Sequence, residues 1–157
     1  MLSDGELLEL IGSGHIDIKP FSEKNLTPNG YDLSVGGIDI EDAVLKADIY
    51  EKFLIPRLSP FRVVSLEYVT LSNGFTANLW LKQRYARRNI QATFSQIDAE
   101  FFGTLAFCCF NANNSPITIE KGSPFAQIVF HRLDVPPLKG YAERSGHYKG
   151  QKDTLLK

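Results

Sequence analysis

Hydrophobic positions along the chain follow two rhythms. Near the amino terminus Leu7, Leu8, Leu10 and Ile11 form an apolar stripe at helical spacing. Ser3-Asp4-Gly5-Glu6 before it reads as a capping box, in which the Ser3 hydroxyl serves a free backbone N–H and Glu6 reaches back. Gly12-Ser13-Gly14 after it tolerates the left-handed turn that ends a helix. A short helix is therefore expected there. From Ile16 onward the rhythm shortens to that of strands. Ile16-Asp17-Ile18 alternates, Phe53 to Ile55 is a short apolar run, and Phe61 to Leu71 is rich in Val, Tyr and Thr. Thr76 to Leu81, Thr104 to Phe110, Ile117 to Glu120 and Phe125 to His131 continue the series. Turn signals stand at Thr27-Pro28-Asn29-Gly30, Gly36-Gly37, Ser72-Asn73-Gly74, Asn111 to Pro116 and Lys121-Gly122. Tyr85 to Arg88 suits one brief helical turn. Many short strands broken by frequent turns predict a mainly β fold, a sandwich or closed barrel.

The 157 residues, 43% of them hydrophobic, can bury one core, so a single domain over 1–157 is expected. Beyond Val135-Pro136-Pro137 the chain turns polar, which predicts a tail over 136–157 that is mobile or docks elsewhere. A net charge of -1 gives no basic field for gripping nucleic acid, so a polyanion site would have to be local. No apolar run approaches the roughly 18 residues that cross a bilayer, and no basic segment precedes an apolar one at the start. The expected location is the cytoplasm. The two cysteines, Cys108 and Cys109, are adjacent in a strand-like run, so their side chains point to opposite faces and do not bridge. That is thiol usage of a reducing compartment.

Four cations, Lys82, Arg84, Arg87 and Arg88, fall within seven residues directly after Trp80-Leu81. Either this is a solvated turn, or it is a phosphate clamp in which forked guanidinium donors meet phosphate oxygens. Ten residues on stands Ile97-Asp98-Ala99-Glu100-Phe101-Phe102-Gly103. Asp98 there either fixes a backbone N–H in a turn or, beside a phosphate clamp, serves as a general base for water. His15, His131 and His147 share no metal-ligand spacing.

Several segments, in this order, resemble the motifs of dUTPases and dCTP deaminases. They are Leu2-Ser3-Asp4, Ile18-Lys19-Pro20-Phe21, Asn29-Gly30-Tyr31-Asp32-Leu33, Tyr85-Ala86-Arg87, Ile97-Asp98 with Gly103, Phe110-Asn111, Gly122 with Ala126-Gln127, and Tyr148 with Gln151. The resemblance spans nearly the whole chain. Leu-Ser-Asp and the terminal Tyr-x-x-Gln look like the deaminase branch, which also contains bifunctional and archaeal-type dUTPase members. Gly30-Tyr31-Asp32-Leu33 looks like the first dUTPase motif. The resemblance implies a distorted β-barrel or jelly-roll (the β-clip arrangement) with a short N-terminal helix, assembling as a homotrimer with active sites between subunits. It implies Asp98 as the residue that activates water against the α-phosphorus, and Phe101 as the ring under deoxyribose. Asp32 would order metal-bound water, the metal being Mg2+. Lys82, Gln83, Arg84 and Arg87 would hold phosphates. Gln127, Tyr141, His147, Tyr148 and Gln151 would contact the nucleotide, the last four from a tail closing over the triphosphate.

Departures from the pattern bear on the reaction. Where the family has Arg-Ser-Ser-x-Ala-Arg, this chain has Lys82-Gln83-Arg84-Tyr85-Ala86-Arg87, so charge survives and both hydroxyls are lost. His147 replaces a lysine of the deaminase branch, and Asn89 replaces a glycine while still tolerating a left-handed backbone. Ungapped alignment from Asp98 to Asn111 puts Cys108 where a deaminase of this branch carries its water-activating glutamate. A thiol buried in an apolar strand would stay neutral and shuttle protons poorly. The His-x-Glu and Pro-Cys-x-x-Cys signature of zinc deaminases is absent. Hydrolysis of dUTP to dUMP and pyrophosphate is therefore the expected activity, with a dCTP deaminase or bifunctional enzyme and a non-catalytic nucleotide-binding relative as alternatives.

Overall fold

The computed structural model describes residues 1–40, 43–45, 51–144 and 150. Helix α1 (Asp4–Gly12) carries the expected capping box: Glu6 N–H donates to Ser3 Oγ at 3.3 Å, and Ser3 N–H donates to Glu6 Oε2 at 3.0 Å. Leu7 and Leu10 are buried, whereas Leu8 points outward, because successive helical side chains diverge by about 100°. Gly14, at φ 76°, turns the chain into β1 (Ile16–Lys19).

A 3-10 turn (Glu23–Asn25) leads into β2 (Leu26–Thr27) and β3 (Gly30–Ile40), joined by Pro28-Asn29. Then follow β4 (Ala43–Leu45), β5 (Lys52–Ile55), β6 (Ser59–Leu71), β7 (Phe75–Leu81), α2 (Gln83–Ala86) and β8 (Ile90–Thr93). β9 (Phe102–Asn111), β10 (Ile117–Glu120), β11 (Pro124–Arg132) and α3 (Tyr141–Arg144) complete the order. The main sheet runs β7-β11-β3-β6-β9-β8, with β1 added on β6 and β2 and β4 on β3, and it curls into a nearly closed barrel. β5 and β10 form a separate antiparallel pair. The mainly β fold with a short N-terminal helix is as the sequence led us to expect. No helix among the described residues is long and apolar enough to cross a membrane.

The 11-residue strand β3 is the main departure from expectation. Gly36-Gly37 has the composition of a turn, yet it lies inside β3 at a register shift between Val35 and Gly37. A Cβ on Gly36 would sit 2.8 Å from both Leu66 N and Ser65 O, so the glycine permits close strand approach. Facing it, β6 breaks register between Val64 and Tyr68. Ser65 Oγ repairs the break, accepting from Leu105 N–H at 2.9 Å and donating to Glu67 O at 2.7 Å. Two apposed bulges bend both strands and close the sheet on itself. The core is filled by Tyr31, Phe107, Phe125 and Phe130, all under 2% exposed, with Phe107 and Phe125 stacked at 6.2 Å.

Candidate functional site

The segment between β8 and β9 is held at both ends. Ile97 exchanges two backbone hydrogen bonds with Ala77 on β7, at 2.9 and 3.0 Å. Thr76 Oγ1 donates to Ile97 O at 2.6 Å, Gln96 Nε2 donates to Thr76 Oγ1 at 2.6 Å, and Asn78 Nδ2 donates to Gln96 Oε1 at 3.0 Å. At the far end Leu71 N–H on β6 donates to Phe101 O at 2.9 Å. A loop pinned this way presents Asp98 on a fixed base.

Asp98 is exposed, and its carboxylate takes no hydrogen bond from a described residue. The reading in which it fixes a backbone N–H therefore fails. It lines a cavity of about 310 Å³ together with Phe101, Thr104, Cys108 and Tyr141, and is the one Asp or Glu among the described lining residues. A second recess of about 280 Å³ shares Gln96, Asp98 and Tyr141 with the first and adds Lys139 and Arg144. The Phe101 ring is 6% exposed and meets Tyr141 edge-on, with centroids 6.2 Å apart.

Cys108 corrects the sequence reading. It is exposed into this cavity, while its neighbour Cys109 is 7% exposed and faces the core, where burial pushes its thiol pKa up. The two thiols face opposite ways, as expected, but Cys109 and not Cys108 is the inward one. Leu105, Phe107 and Cys109 share the inward phase of β9, so the bulk of Leu105 and Phe107 was the signal available. Gln96 and Thr76, which position the loop, carried no signal of their own.

The cationic residues lie elsewhere. α2 is a single turn tied down at its end: Ala112 N–H donates to Asn89 O at 3.1 Å, and Asn113 Nδ2 donates to Arg88 O at 2.8 Å. Asn89 has φ 54°, the left-handed backbone anticipated for it. Arg84 folds over the Tyr85 ring, 4.7 Å from its centroid, and donates to Tyr85 Oη at 2.8 Å. Gln83 and Arg87 are exposed. Lys82 is committed differently, its ammonium 2.6 Å from Asp32 Oδ2 on β3. Gln127 on β11 sits directly across from Asp32 and Trp80 in the ladder and donates to Thr27 Oγ1 at 2.7 Å. The structure thus groups Asp98, Phe101 and Tyr141 in one place and Asp32, Lys82 and Gln127 in another. Neither cavity is lined by Lys82, Gln83, Arg84 or Arg87. His147, Tyr148 and Gln151 lie outside the described residues.

Among the described residues no three His, Cys, Asp or Glu side chains converge to hold a metal. Asp32 Oδ1 is nonetheless buried without a hydrogen-bond partner. Asp32 Oδ1 would have to open to solvent before it could meet a water on an ion carried in on phosphates, the manner in which magnesium is commonly held.

Comparison with known proteins now adds to the geometry. A family model described as dCTP deaminase-like matches residues 38–133, more than half of the chain. A dCTP deaminase of Pyrococcus horikoshii is 34% identical over 134 residues, covering 85% of this chain and 84% of its own. A dUMP-forming dCTP deaminase of Aquifex aeolicus is 31% identical, covering 99% of this chain and 92% of its own. Among solved structures, the deoxycytidine triphosphate deaminase of Agrobacterium tumefaciens superposes with a TM-score of 0.67 at 18% identity over 84% of this chain. This chain spans only 48% of that one. The dUTPase of EIAV superposes with a TM-score of 0.56 at 17% identity, over 83% of this chain and 97% of its own.

Proposed function

Since the chain belongs to the dUTPase/dCTP deaminase superfamily, we propose that it is a dUTP diphosphatase, cleaving dUTP to dUMP and pyrophosphate. One observation carries this reading. The cavity has a single described carboxylate, Asp98, with no hydrogen-bond partner among the described residues, and an exposed thiol, Cys108, where the family resemblance puts a deaminase's glutamate. Hydrolysis asks for an oriented water, a base and charge neutralisation on the phosphates, and the chain has residues for each.

In this mechanism Asp98 accepts a proton from water as the water oxygen bonds to the α-phosphorus. The bond from that phosphorus to the bridging oxygen breaks, and pyrophosphate leaves with the electron pair. Phe101 and Tyr141 form the wall for deoxyribose, where their close packing leaves little room for a 2′-hydroxyl. Gln83, Arg84 and Arg87 bind phosphate oxygens, and Lys82 neutralises Asp32 and the nearest phosphate. Gln127 contributes a polar contact beside them, and His147, Tyr148 and Gln151 act from the tail. Magnesium bound on the substrate phosphates, steadied through water by Asp32, would neutralise charge on the leaving group. The cations line neither cavity of their own chain. The reading therefore includes a cytoplasmic homotrimer in which one subunit's α2 faces another's Asp98.

A second reading, deamination of dCTP alone or followed by hydrolysis, is favoured by what the relatives are named, including the dUMP-forming one. Chromatographic separation of products from dUTP and from dCTP, each with magnesium, discriminates the two. Conversion of dUTP to dUMP with dCTP intact is expected. Deamination of dCTP with dUTP untouched sinks the proposal.

A further inference from the structure

A glutamate that breaks a local backbone rule meets a glycine beside the second recess. Glu100 has φ 65°, a left-handed backbone that is unfavourable for a residue with a side chain and easy for glycine. Its carboxylate points away from the pinned loop toward the carboxyl-terminal segment, where Oε2 accepts a hydrogen bond from Tyr141 N–H at 3.0 Å. That N–H opens α3 and has no partner within the helix. The residue before it is Gly140, and a Cβ built there would collide with Glu100 Oε2. The strained glutamate and the side-chain-free glycine thus fit each other. Strain of this kind persists where the surrounding structure over-determines it.

From this we propose that Glu100 is a positioning residue for the nucleotide site. Its carboxylate clasps the Gly140–Tyr141 backbone and sets the Tyr141 ring against Phe101 before substrate arrives. The inference rests on the nucleotide-site reading for its purpose, though not for the clasp itself. Without the clasp, residues 134–144 would have to be ordered by the ligand. The apparent affinity would then fall by the fraction of molecules already in place. Two substitutions break the clasp from opposite sides. Glu100→Ala removes the acceptor, and Gly140→Ala displaces a flexible carboxylate end at little cost to the fold.

The test measures tryptic cleavage after Lys139 and Arg144 in the free protein, together with kcat and KM for dUTP. Both variants are expected to be cut about tenfold faster. Their KM should rise about tenfold while kcat stays within about twofold. The double variant should be no worse than either single one, because both remove the same contact. Glu100→Gln, which keeps an accepting oxygen, should restore wild-type behaviour. Unchanged cleavage in both single variants, additive effects in the double one, or a glutamine variant as impaired as alanine would each overturn the proposal. If the wild type turns over no dUTP, the nucleotide reading fails and the cleavage rates still decide the clasp.

Discussion

The loop bearing Asp98 and the turn bearing the cations are built on opposite logics. Residues 94–101 are locked by backbone bonds to β7 and β6 and by the Thr76–Gln96–Asn78 relay, yet Asp98, the acid they present to the cavity, takes no hydrogen bond from a described residue. Around α2 the charges are spent locally, Lys82 on Asp32 and Arg84 on Tyr85, with Arg87 exposed. Rigid backbone with a free carboxylate suits a group that must hold a water at one angle. Long cations resting on neighbours suit a surface that re-forms around phosphates. The two regions are separate in the chain's own fold, since Lys82, Arg84 and Arg87 line neither cavity that Asp98 lines.

The largest effect expected from this contrast is at Asp98. Asp98→Asn should lower the turnover of dUTP about a thousandfold while leaving calorimetric nucleotide binding in place. Unaltered turnover would remove Asp98 from the mechanism. Arg87→Ala should raise the KM for dUTP about tenfold with no change in thermal stability, since its side chain is exposed. Equal KM values would return the cationic turn to a solvated surface.

Lys82 separates a structural from a binding role. Lys82→Met strands Asp32, one of whose oxygens already lacks a partner, and should cost about 1–2 kcal/mol in denaturant unfolding. Adding Asp32→Asn should recover most of that loss. A double variant as unstable as the sum of both would show that the two side chains do not act as a pair.

The smallest expected effect lies away from both regions, at Glu67 on β6. Its carboxylate accepts from Ser34 N–H at 2.8 Å, and burial raises its pKa above the ordinary 4.5. A raised acid favours the folded state while protonated, so its contribution is complete below pH 4.5 and is lost as pH rises through the folded value. Glu67→Gln should therefore gain thermal stability on the wild type between acidic and neutral pH. A constant difference across that range would contradict the sign.

What the sequence made legible follows from the range of each signal. The capping box, the turn at Thr27-Pro28-Asn29-Gly30, the left-handed Asn89 and most strands depend on neighbours within a few residues, and they are found where the pattern put them. β3 was lost because Gly36-Gly37 looks like a turn in isolation. Only the bulge of β6, thirty residues further on, turns that glycine into a point of close approach. The site divides the same way. Motif order named Asp98, Phe101 and Tyr141, which the fold does bring to one cavity. The separation of the cations from that cavity, the outward face of Cys108 and the Glu100–Tyr141 contact depend on which strand packs on which. No local pattern encodes them.

The claim that water is delivered to phosphorus and not to the base can be read from where its oxygen ends up. Incubating dUTP and dCTP separately with the protein and magnesium in 18O-labelled water, followed by mass analysis of the products, tests it directly. The account predicts a single label in the phosphate of dUMP from dUTP, with dCTP recovered unlabelled. Label at C4 of a uracil ring formed from dCTP, with no labelled dUMP from dUTP, would contradict it.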